Sequence, residues 1–443
     1  MSDLVLLTVD SLRQDHLGCY GYHRDTSPNI DALAESGQLF ENAFSNGNAT
    51  RSSFPSIMTS TYPMMYGGYE VISREQALIA EVLQQDGYAT GGFHSNPYLS
   101  ADFGYDRGFN RYHDWRDEPS LTAKVRQYIK NNLNNDSLFF KLLKTAFNKT
   151  EEQTGIEVGS LYTDARETTD EALSWVRAND DSERFLWVHY MDVHHPYNPP
   201  GEYQLKFRDE PISDREAKQL RRRMLESPEA LTEDERQCLI DLYDAEIAFV
   251  DSEIARLIKE FDDSAKILFT ADHGEEFGDH GRYSHHETFY DENIHIPLII
   301  RTERTPTVHD NLTCSLDIGP TIVDLAGLEI PSSYLGRSLA TEANLNPDED
   351  RDWIMSSVDD RFMCRSNRWK YITQRDGPQL LFDLETDPNE TKNIAESNPD
   401  FITKFEDQLE TLRERVQSSS SQQLTRDIDE ATRKRLQQLG YKE

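Results

Sequence analysis

The chain of 443 residues carries 46 Lys and Arg against 80 Asp and Glu, a formal net charge of −34. So acidic a surface argues against nucleic acid and against anionic lipid as partners, because both require a basic footprint. Hydrophobic residues make up 37% and aromatic residues 10% of the chain, which predicts a folded protein with a sizeable core.

The acidic residues are spread along the whole chain, and only 14 of the basic residues are lysine. This composition is typical of proteins from cells that keep molar salt inside. At that salt concentration the Debye length is roughly 3 Å, so the repulsion among the protein's own negative charges is screened. We therefore expect a halophilic protein, with an ordinary acidic protein as the alternative. No run approaches the ~20 apolar residues of a membrane span, so a cytoplasmic protein without a membrane partner is expected. The oligomeric state stays open, with a homo-oligomer among the options.

Four apolar runs of strand type each end in polar or ionisable residues. They are Leu4 to Val9 before Asp10, Tyr88 to Phe93 before His94, Phe185 to Met191 before Asp192, and Lys266 to Thr270 before Ala271 and Asp272. Helical stretches such as Ser27 to Ser36 and Asp241 to Phe261 lie between them. Alternating strands and helices predict an α/β fold with a large, mostly parallel sheet flanked by helices. In such sheets, functional groups lie at the carboxyl ends of the strands.

We divide the chain into a large N-terminal domain over residues 1–345, a small C-terminal α+β subdomain over 346–397 and a polar helical tail over 398–443. Segments 114–168 and 201–235 are rich in charge and lack strand-like runs. We expect them to be insertions around the mouth of the site. The pieces RWKYIT and LLFDL indicate the strands of the small subdomain.

The strongest single motif is Asp272-His273-Gly274-Glu275, directly after the fourth apolar run. An Asp and a His at a strand end, followed by Gly in a tight turn, supply a carboxylate and an imidazole to one divalent ion. A capped turn is the alternative. Asp10 favours the metal interpretation, because adjacent parallel strands would bring both acids to one cation. Without a metal, two close carboxylates would repel each other and raise one pKa.

A hydroxyl-rich segment and two histidine segments add further candidates. Residues 48–63, NATRSSFPSIMTSTYP, lead into a helix-like turn, whose N-terminus offers amide donors to an oxyanion. A hydroxyl there that touches a metal would become a nucleophile, whereas a plain N-cap is the alternative. WVHYMDVHHPY carries His194 and His195 at a strand end, and His285 and His286 follow Asp272 closely. Such imidazoles bind oxyanions or protonate leaving groups, although a rigid loop would also explain the first pair.

Together these segments resemble the sulfatase family of the alkaline phosphatase superfamily. The opening LVLLTVDSLRQDHLGCYGYHRDTSPNIDALAESGQLFENAF is similar to the family's first strand and helix, and LWVHYMDVHHPYNPP to its central histidine motif. DHGEEFGDHG with YDENIHIPLIIR resembles its second metal segment, and RWKYI with LFDLETDPNETKNIA its C-terminal hairpin. The resemblance covers most of the chain. It implies an alkaline-phosphatase-like sandwich and a metal-dependent hydrolase of sulfate esters or phosphate mono- or diesters.

The chain departs from the family pattern at the nucleophile. Family sulfatases carry Cys or Ser followed by x-Pro-x-Arg, and that first residue is converted to formylglycine. Alignment on residues 59–63 places the nucleophile at Thr50 and the arginine position at Phe54, whereas alignment on Pro55 selects Ser53 as nucleophile. Both alignments lack the arginine. Thr50 is preferred because its alignment needs no gap, and because phosphoethanolamine transferases resemble it in the spacing from threonine to proline.

Two further departures concern the metal. Ser11 stands where many sulfatases have a second acid, and His273 where many have Asn. This pattern is similar to the branch of the superfamily that handles phosphate esters. A threonine alkoxide suits phosphoryl transfer, whereas a covalent sulfo-threonine lacks the elimination route of the formylglycine hydrate. Sulfate esters are therefore less expected as substrates, without being excluded.

The resemblance implies that Asp10, Asp272, His273 and the nucleophile Thr50 surround one divalent ion, with Ca, Mn, Mg and Zn all open. His194 and either His285 or His286 would contact the ester or protonate the leaving group. The remaining expected substrate contacts are Arg51, Ser53 and Asn96. The expected substrate is a small-molecule or glycan anionic ester. A transferase of phospho-substituents between glycans or lipids and a non-catalytic binding protein are the alternatives.

Overall fold

The computed structural model describes residues 2–67, 71–114, 162–285, 288–340, 351–375 and 377–419. The strands in these residues are β1 (Leu4–Val9), β2 (Gln38–Phe40), β3 (Ala43–Phe44), β4 (Ala89–Phe93), β5 (Arg111–His113), β6 (Arg184–Tyr190), β7 (Lys266–Ala271), β8 (Glu276–Phe277), β9 (Tyr283–Ser284), β10 (Leu298–Arg301), β11 (Thr307–His309), β12 (Thr313–Cys314), β13 (Ile354–Val358), β14 (Arg361–Arg365), β15 (Trp369–Gln374) and β16 (Gln379–Asp383). The α-helices are α1 (Pro28–Glu35), α2 (Thr50–Thr59), α3 (Ile79–Gln85), α4 (Ala165–Ala178), α5 (Gly201–Gln204), α6 (Asp214–Glu226), α7 (Glu233–Ile258), α8 (Asp291–Ile294), α9 (Ile318–Leu325) and α10 (Pro399–Ser419).

An eight-stranded sheet forms the centre of the molecule, in the order β11-β2-β10-β7-β1-β6-β4-β5. All its pairings are parallel except those of β10, which runs antiparallel to both β2 and β7. Every residue of β1 is buried, as expected for a central strand covered on both faces. The predicted α/β class with a large, mostly parallel sheet is confirmed.

The register of the three central strands positions the functional residues. Val9 of β1 pairs with Tyr190 of β6 on one side and with Ala271 of β7 on the other. The next residue of each strand therefore emerges at the same level, and Asp10 lies between Met191 and Asp272. The backbone NH of Asp10 donates to Tyr190 O at 2.8 Å, which extends the ladder by one residue.

Helix α7 is longer than the sequence pattern predicts, because it begins at Glu233 rather than at Asp241. Thr232 and Glu235 form a capping box, in which the NH of Thr232 donates to Glu235 Oε2 at 3.0 Å. Three acidic residues in the first turn also favour the positive end of the helix dipole. The apolar period starts only where the helix reaches the core, so periodicity alone misses its first two turns.

A separate antiparallel sheet, β13-β14-β15-β16, follows near the C-terminus. Helix α10 packs on it through the buried side chains of Phe405, Leu409 and Leu412. The predicted small C-terminal subdomain is thus present, whereas its exact boundaries and those of the tail stay predictions. Most of the predicted insertion 114–168 lies outside the described residues, and segment 201–235 contains α5, α6 and the start of α7. Among the described residues, no helix is both long enough and apolar enough to cross a membrane.

Candidate active site

The carboxyl ends of β1 and β7 bring two carboxylates into one buried space. Asp10 and Asp272 are both fully buried, and the backbone NH of Ser11 donates to Asp272 Oδ1 at 3.2 Å. Ser11 has a left-handed backbone with φ of 58°, and its hydroxyl donates to Asp10 Oδ1 at 2.9 Å. The residue in the place of the family's second acid therefore hydrogen-bonds to the first.

Thr50 is the first residue of α2, and its hydroxyl faces the two acids. Thr50 Oγ1 donates to Asp10 Oδ2 at 3.0 Å and lies 3.5 Å from His273 Nε2. Ser53, one turn further along the helix, is placed elsewhere, since its hydroxyl lies 3.1 Å from Ser45 Oγ. The structure thus brings Thr50 to the acids and keeps Ser53 in a separate hydrogen-bonded pair.

Phe54 occupies the position of the family's arginine and belongs to the core. Its ring is fully buried and packs edge-on against His189, with centroids 4.9 Å apart. The guanidinium of Arg51 lies on the neighbouring face of α2, with its Cζ 5.6 Å from the ring centroid of Tyr98. Any substrate-binding arginine on this helix is therefore Arg51.

Asn96 lies within the cluster rather than at its rim. Its Nδ2 donates to Asp10 Oδ2 at 3.0 Å and lies 3.4 Å from Thr50 Oγ1, while its Oδ1 accepts from the backbone NH of Tyr98. The sequence predicts Asn96 as a substrate contact. In the structure its amide holds Asp10 and the threonine hydroxyl in place.

His189 is a site residue that the sequence interpretation does not select. It lies inside β6 with its Nε2 at 3.3 Å from Asp10 Oδ2, and its Nδ1 lies 3.0 Å from Thr8 Oγ1. Ligand atoms of Asp10, His189 and Asp272 all lie within 4.8 Å of one another. The prediction concerns groups after the strand ends, whereas His189 is the last residue but one of β6 and shares a face with Met191.

The predicted histidines form a group beside the acids. The ring of His285 lies 4.3 Å from that of His273 and 5.1 Å from that of His194, measured between centroids. The ring of His195 lies 4.3 Å from that of His194 and further from the carboxylates. His286 lies outside the described residues. His280, another histidine that follows Asp272, pairs with Glu292 instead.

Glu275 is a second residue that the sequence interpretation leaves without a role. Its Oε1 lies 3.1 Å from His285 Nδ1, and its Oε2 accepts from Tyr197 Oη at 2.8 Å. Since a carboxylate accepts, this contact directs Nε2 of His285 away from Glu275. Burial raises the pKa of Glu275 well above its ordinary value. Glu275 is the last residue of the motif Asp272-His273-Gly274-Glu275, and its place in that motif was the signal that could have found it.

Protonation of the acids follows from their surroundings. Burial alone would raise the pKa of Asp10, but the neighbouring His194, His189 and His273 hold it below its ordinary value. Burial and the charge of Asp10 raise the pKa of Asp272 well above its ordinary value. The pair therefore favours bound positive charge or one proton.

Burial favours the neutral forms of His194 and His273. Burial lowers the pKa of His194 to about 4 and also lowers the pKa of His273. Nδ1 of His273 donates to Gly274 O at 2.8 Å, which leaves Nε2, the nitrogen that faces Thr50, as the acceptor. A neutral imidazole with its lone pair toward two carboxylates is the donor set of a divalent metal site.

An observation independent of this donor chemistry supports a cation. Among the described residues, none donates a well-formed hydrogen bond to Asp272 Oδ2, although this atom is buried. An unpartnered buried carboxylate oxygen is costly unless a cation or proton occupies the adjacent space. The residues present thus fit a divalent ion.

Comparison with known proteins identifies the family. The Sulfatase family model matches residues 2–328, and the model of the C-terminal region of N-sulphoglucosamine sulphohydrolase matches residues 278–418. The chain belongs to the sulfatase family. The expected family, fold class and enzyme class are therefore confirmed.

The relatives differ in how much of each chain aligns. The arylsulfatase of Clostridium perfringens is 25% identical over 93% of this chain and 92% of its own length. Bovine arylsulfatase K is 31% identical over 33% of this chain, which spans only 30% of that protein. The solved phosphonate monoester hydrolase of Agrobacterium radiobacter has a TM-score of 0.72 at 21% identity, covering 94% of this chain and 96% of its own.

Proposed function

We propose that this sulfatase-family protein hydrolyses sulfate or phosphate esters, phosphonate esters included, with Thr50 as the nucleophile beside one divalent ion. The observation that carries the proposal is the hydroxyl of Thr50, which donates to Asp10 Oδ2 at 3.0 Å at the edge of a buried carboxylate pair. The two alternatives, a transferase and a non-catalytic binding protein, are not favoured, because the matched relatives are named as sulfatases and as a hydrolase.

The chain offers Asp10, Asp272 and His273 as metal ligands, as the resemblance implies, and His189 as a further one. When bound, a divalent ion makes a hydroxyl more acidic and neutralises charge on the transferred group. The identity of the metal is left open between Ca, Mn, Mg and Zn. Asn96 holds Asp10 and the threonine hydroxyl in one orientation, which is positioning in advance of the reaction.

In the proposed reaction the Thr50 hydroxyl gives its proton to Asp10 Oδ2, which already accepts its hydrogen bond, and the Thr50 oxygen forms a bond to sulfur or phosphorus as the bond to the leaving oxygen breaks. His285, held by Glu275, gives its proton to that oxygen. Water then attacks the same sulfur or phosphorus atom and gives one proton to His285, the bond to Thr50 breaks, and Asp10 returns the proton to the Thr50 oxygen. His194, neutral before substrate binds, and Arg51 contact the remaining ester oxygens. Because the covalent threonine ester must be released by hydrolysis, this mechanism favours phosphate and phosphonate esters over sulfate esters as substrates.

The test combines metal analysis with three substrates. Purified protein is assayed for bound divalent metal and for turnover of 4-nitrophenyl sulfate, 4-nitrophenyl phosphate and bis(4-nitrophenyl) phosphate. Thr50→Ala is expected to lower kcat by about 10⁴-fold or more without loss of metal, because the nucleophile itself is removed. Ser53→Ala removes the competing hydroxyl and is expected to retain more than half of the activity.

The reverse result, a loss in Ser53→Ala with full activity in Thr50→Ala, would contradict the nucleophile assignment. Absence of both metal and turnover in the wild type would contradict the hydrolase proposal itself. Loss of the covalent intermediate in Thr50→Ala is checked by mass spectrometry after rapid acid quench, which separates chemistry from a change in substrate binding.

A further inference from the structure

Helix α6 carries an excess of positive charge in a strongly acidic chain. Its residues Asp214–Glu226 include four arginines and one lysine against three acids, in a protein of net charge −34. The helix belongs to the segment that the sequence marks as an insertion. It packs against β9, which directly precedes His285. The positive charge therefore lies next to the histidine group of the candidate site.

Three consecutive arginines on α6 have different surroundings. Arg222 and Arg223 are exposed, and each places a guanidinium nitrogen 2.8 Å from a glutamate carboxylate. Arg221 is half-buried and turns inward, where its Nε lies 3.4 Å from His195 Nδ1. Tyr162 and Tyr197 are among the ionisable side chains that act on its charge there. Arg221 is thus the one member of the triplet that faces the histidines.

Contacts between histidine rings lead from the candidate site to Arg221. His194 lies in the field of both Asp10 and Arg221, and His195 stands between His194 and the guanidinium. In an in-line displacement the leaving oxygen departs on the side opposite to the attacking oxygen. With Thr50 on the side of the carboxylates, the leaving group extends past the histidines toward α6.

We propose that Arg221 binds an anionic group on the leaving-group alcohol, so that the substrates are esters of acidic alcohols or acidic sugars. This inference rests on the proposed ester hydrolysis. A guanidinium pairs with carboxylate, sulfate or phosphate oxygens through two parallel hydrogen bonds. The net negative charge of the protein repels an anionic leaving group at long range. The guanidinium of Arg221, beside the histidines, offsets that repulsion locally.

The experiment compares matched esters that differ by one charge. Phenyl and 3-carboxyphenyl esters of the oxyacid that the wild type hydrolyses are assayed with wild type, Arg221→Gln, Arg221→Lys and the control Arg222→Gln. Arg221→Gln is expected to raise KM for the 3-carboxyphenyl ester about tenfold, with kcat and the phenyl ester changed less than about twofold. Arg221→Lys should recover part of the loss, and Arg222→Gln should match the wild type.

Binding of the product 3-hydroxybenzoate, followed by calorimetry with phenol as the neutral counterpart, gives a second readout that needs no turnover. Weaker binding of 3-hydroxybenzoate to Arg221→Gln with unchanged binding to Arg222→Gln supports the inference. An equal loss of kcat on both esters would show that Arg221 only orients His195, and equal KM values in all variants would also overturn the inference. If the wild type hydrolysed no ester but still bound 3-hydroxybenzoate in a manner that depends on Arg221, the hydrolase proposal would be refuted. The inference that Arg221 binds the anionic group would stand.

Discussion

Asp10 and Asp272 show how one contact between residues determines the chemistry of the site. Each carboxylate lies at a strand end that the sequence alone identifies, and both are withdrawn from water. Because like charges in a buried space repel, the pair is stable only with a proton or a cation between the two acids. Asp272 bears most of this repulsion, since its pKa is raised whereas that of Asp10 is lowered.

Asp272→Asn is therefore expected to stabilise the metal-free protein while weakening metal binding. An acid with a raised folded pKa stabilises the fold when protonated, and this stability is lost as pH rises through the folded pKa. Above that pKa the ionised Asp272 destabilises the metal-free wild type, and the amide removes this penalty. Thermal unfolding in EDTA and in excess divalent metal checks both effects.

The control for this substitution is Asp310→Asn, which neutralises an exposed acid. It is expected to leave the melting temperature and the metal-induced stabilisation unchanged. If Asp272→Asn gained as much stability from metal as the wild type, Asp272 would not be a ligand.

At the scale of elements, a buried ion network joins the small C-terminal sheet to the main domain. Lys370 of β15 is fully buried, with its Nζ 2.8 Å from Asp291 Oδ1 and 2.8 Å from Glu390 Oε1. Arg365 of β14 reaches the second oxygen of Asp291 at 3.0 Å, and its guanidinium stacks on Phe44. Asp291 begins α8 of the main domain, so these charges join the small C-terminal sheet to that helix.

Lys370→Met is expected to cost about 3–5 kcal/mol, because it leaves the buried Glu390 without its cation and removes one of the two cations that contact Asp291. The matched control Arg222→Met breaks an exposed pair on α6 and should cost less than about 1 kcal/mol. Chemical unfolding followed by tryptophan fluorescence measures both. A cost of Lys370→Met as small as that of the control would mean that apolar packing alone holds the sheets together.

Glu390 makes this contact sensitive to pH. Burial raises its pKa from 4.5 to about 7, against the opposing effect of Lys370. Because the folded pKa lies above the unfolded one, its contribution to stability is complete below pH 4.5 and is lost as pH rises to about 7. Glu390→Gln should flatten the pH dependence of unfolding in this range, as measured by calorimetry at several pH values. An unchanged slope would assign that dependence to other groups.

At the scale of the whole molecule, the net charge of −34 sets the conditions for stability. Self-repulsion of this size weakens the fold in dilute buffer and is screened at molar salt. The melting temperature is therefore expected to rise steadily between low and molar KCl. Sucrose at matched osmolarity serves as the uncharged control, and a melting temperature insensitive to KCl would argue for an ordinary acidic protein. The cytoplasmic location stays a prediction.

Much of the fold is already readable in local patterns of the chain. Apolar runs that stop at Asp10 and Asp272 identify two strands and the edge of the sheet at which they end. A strand covered on both faces is apolar along its length, so an acid marks the point where the strand ends. The hydroxyl-rich turn at Thr50 identifies the helix start in the same way. These features depend on neighbours in sequence, so the residues that carry them were found without the structure.

Only the tertiary structure decided which of these residues meet. The order β7-β1-β6 brings Asp272, Asp10 and His189 together, and that order depends on packing between segments far apart in sequence. The choice of Thr50 over Ser53 at the acids depends on how α2 is rotated on the sheet. Local propensity determines where a strand or helix ends, whereas long-range packing determines which ends face each other and which side of each element is turned toward the site.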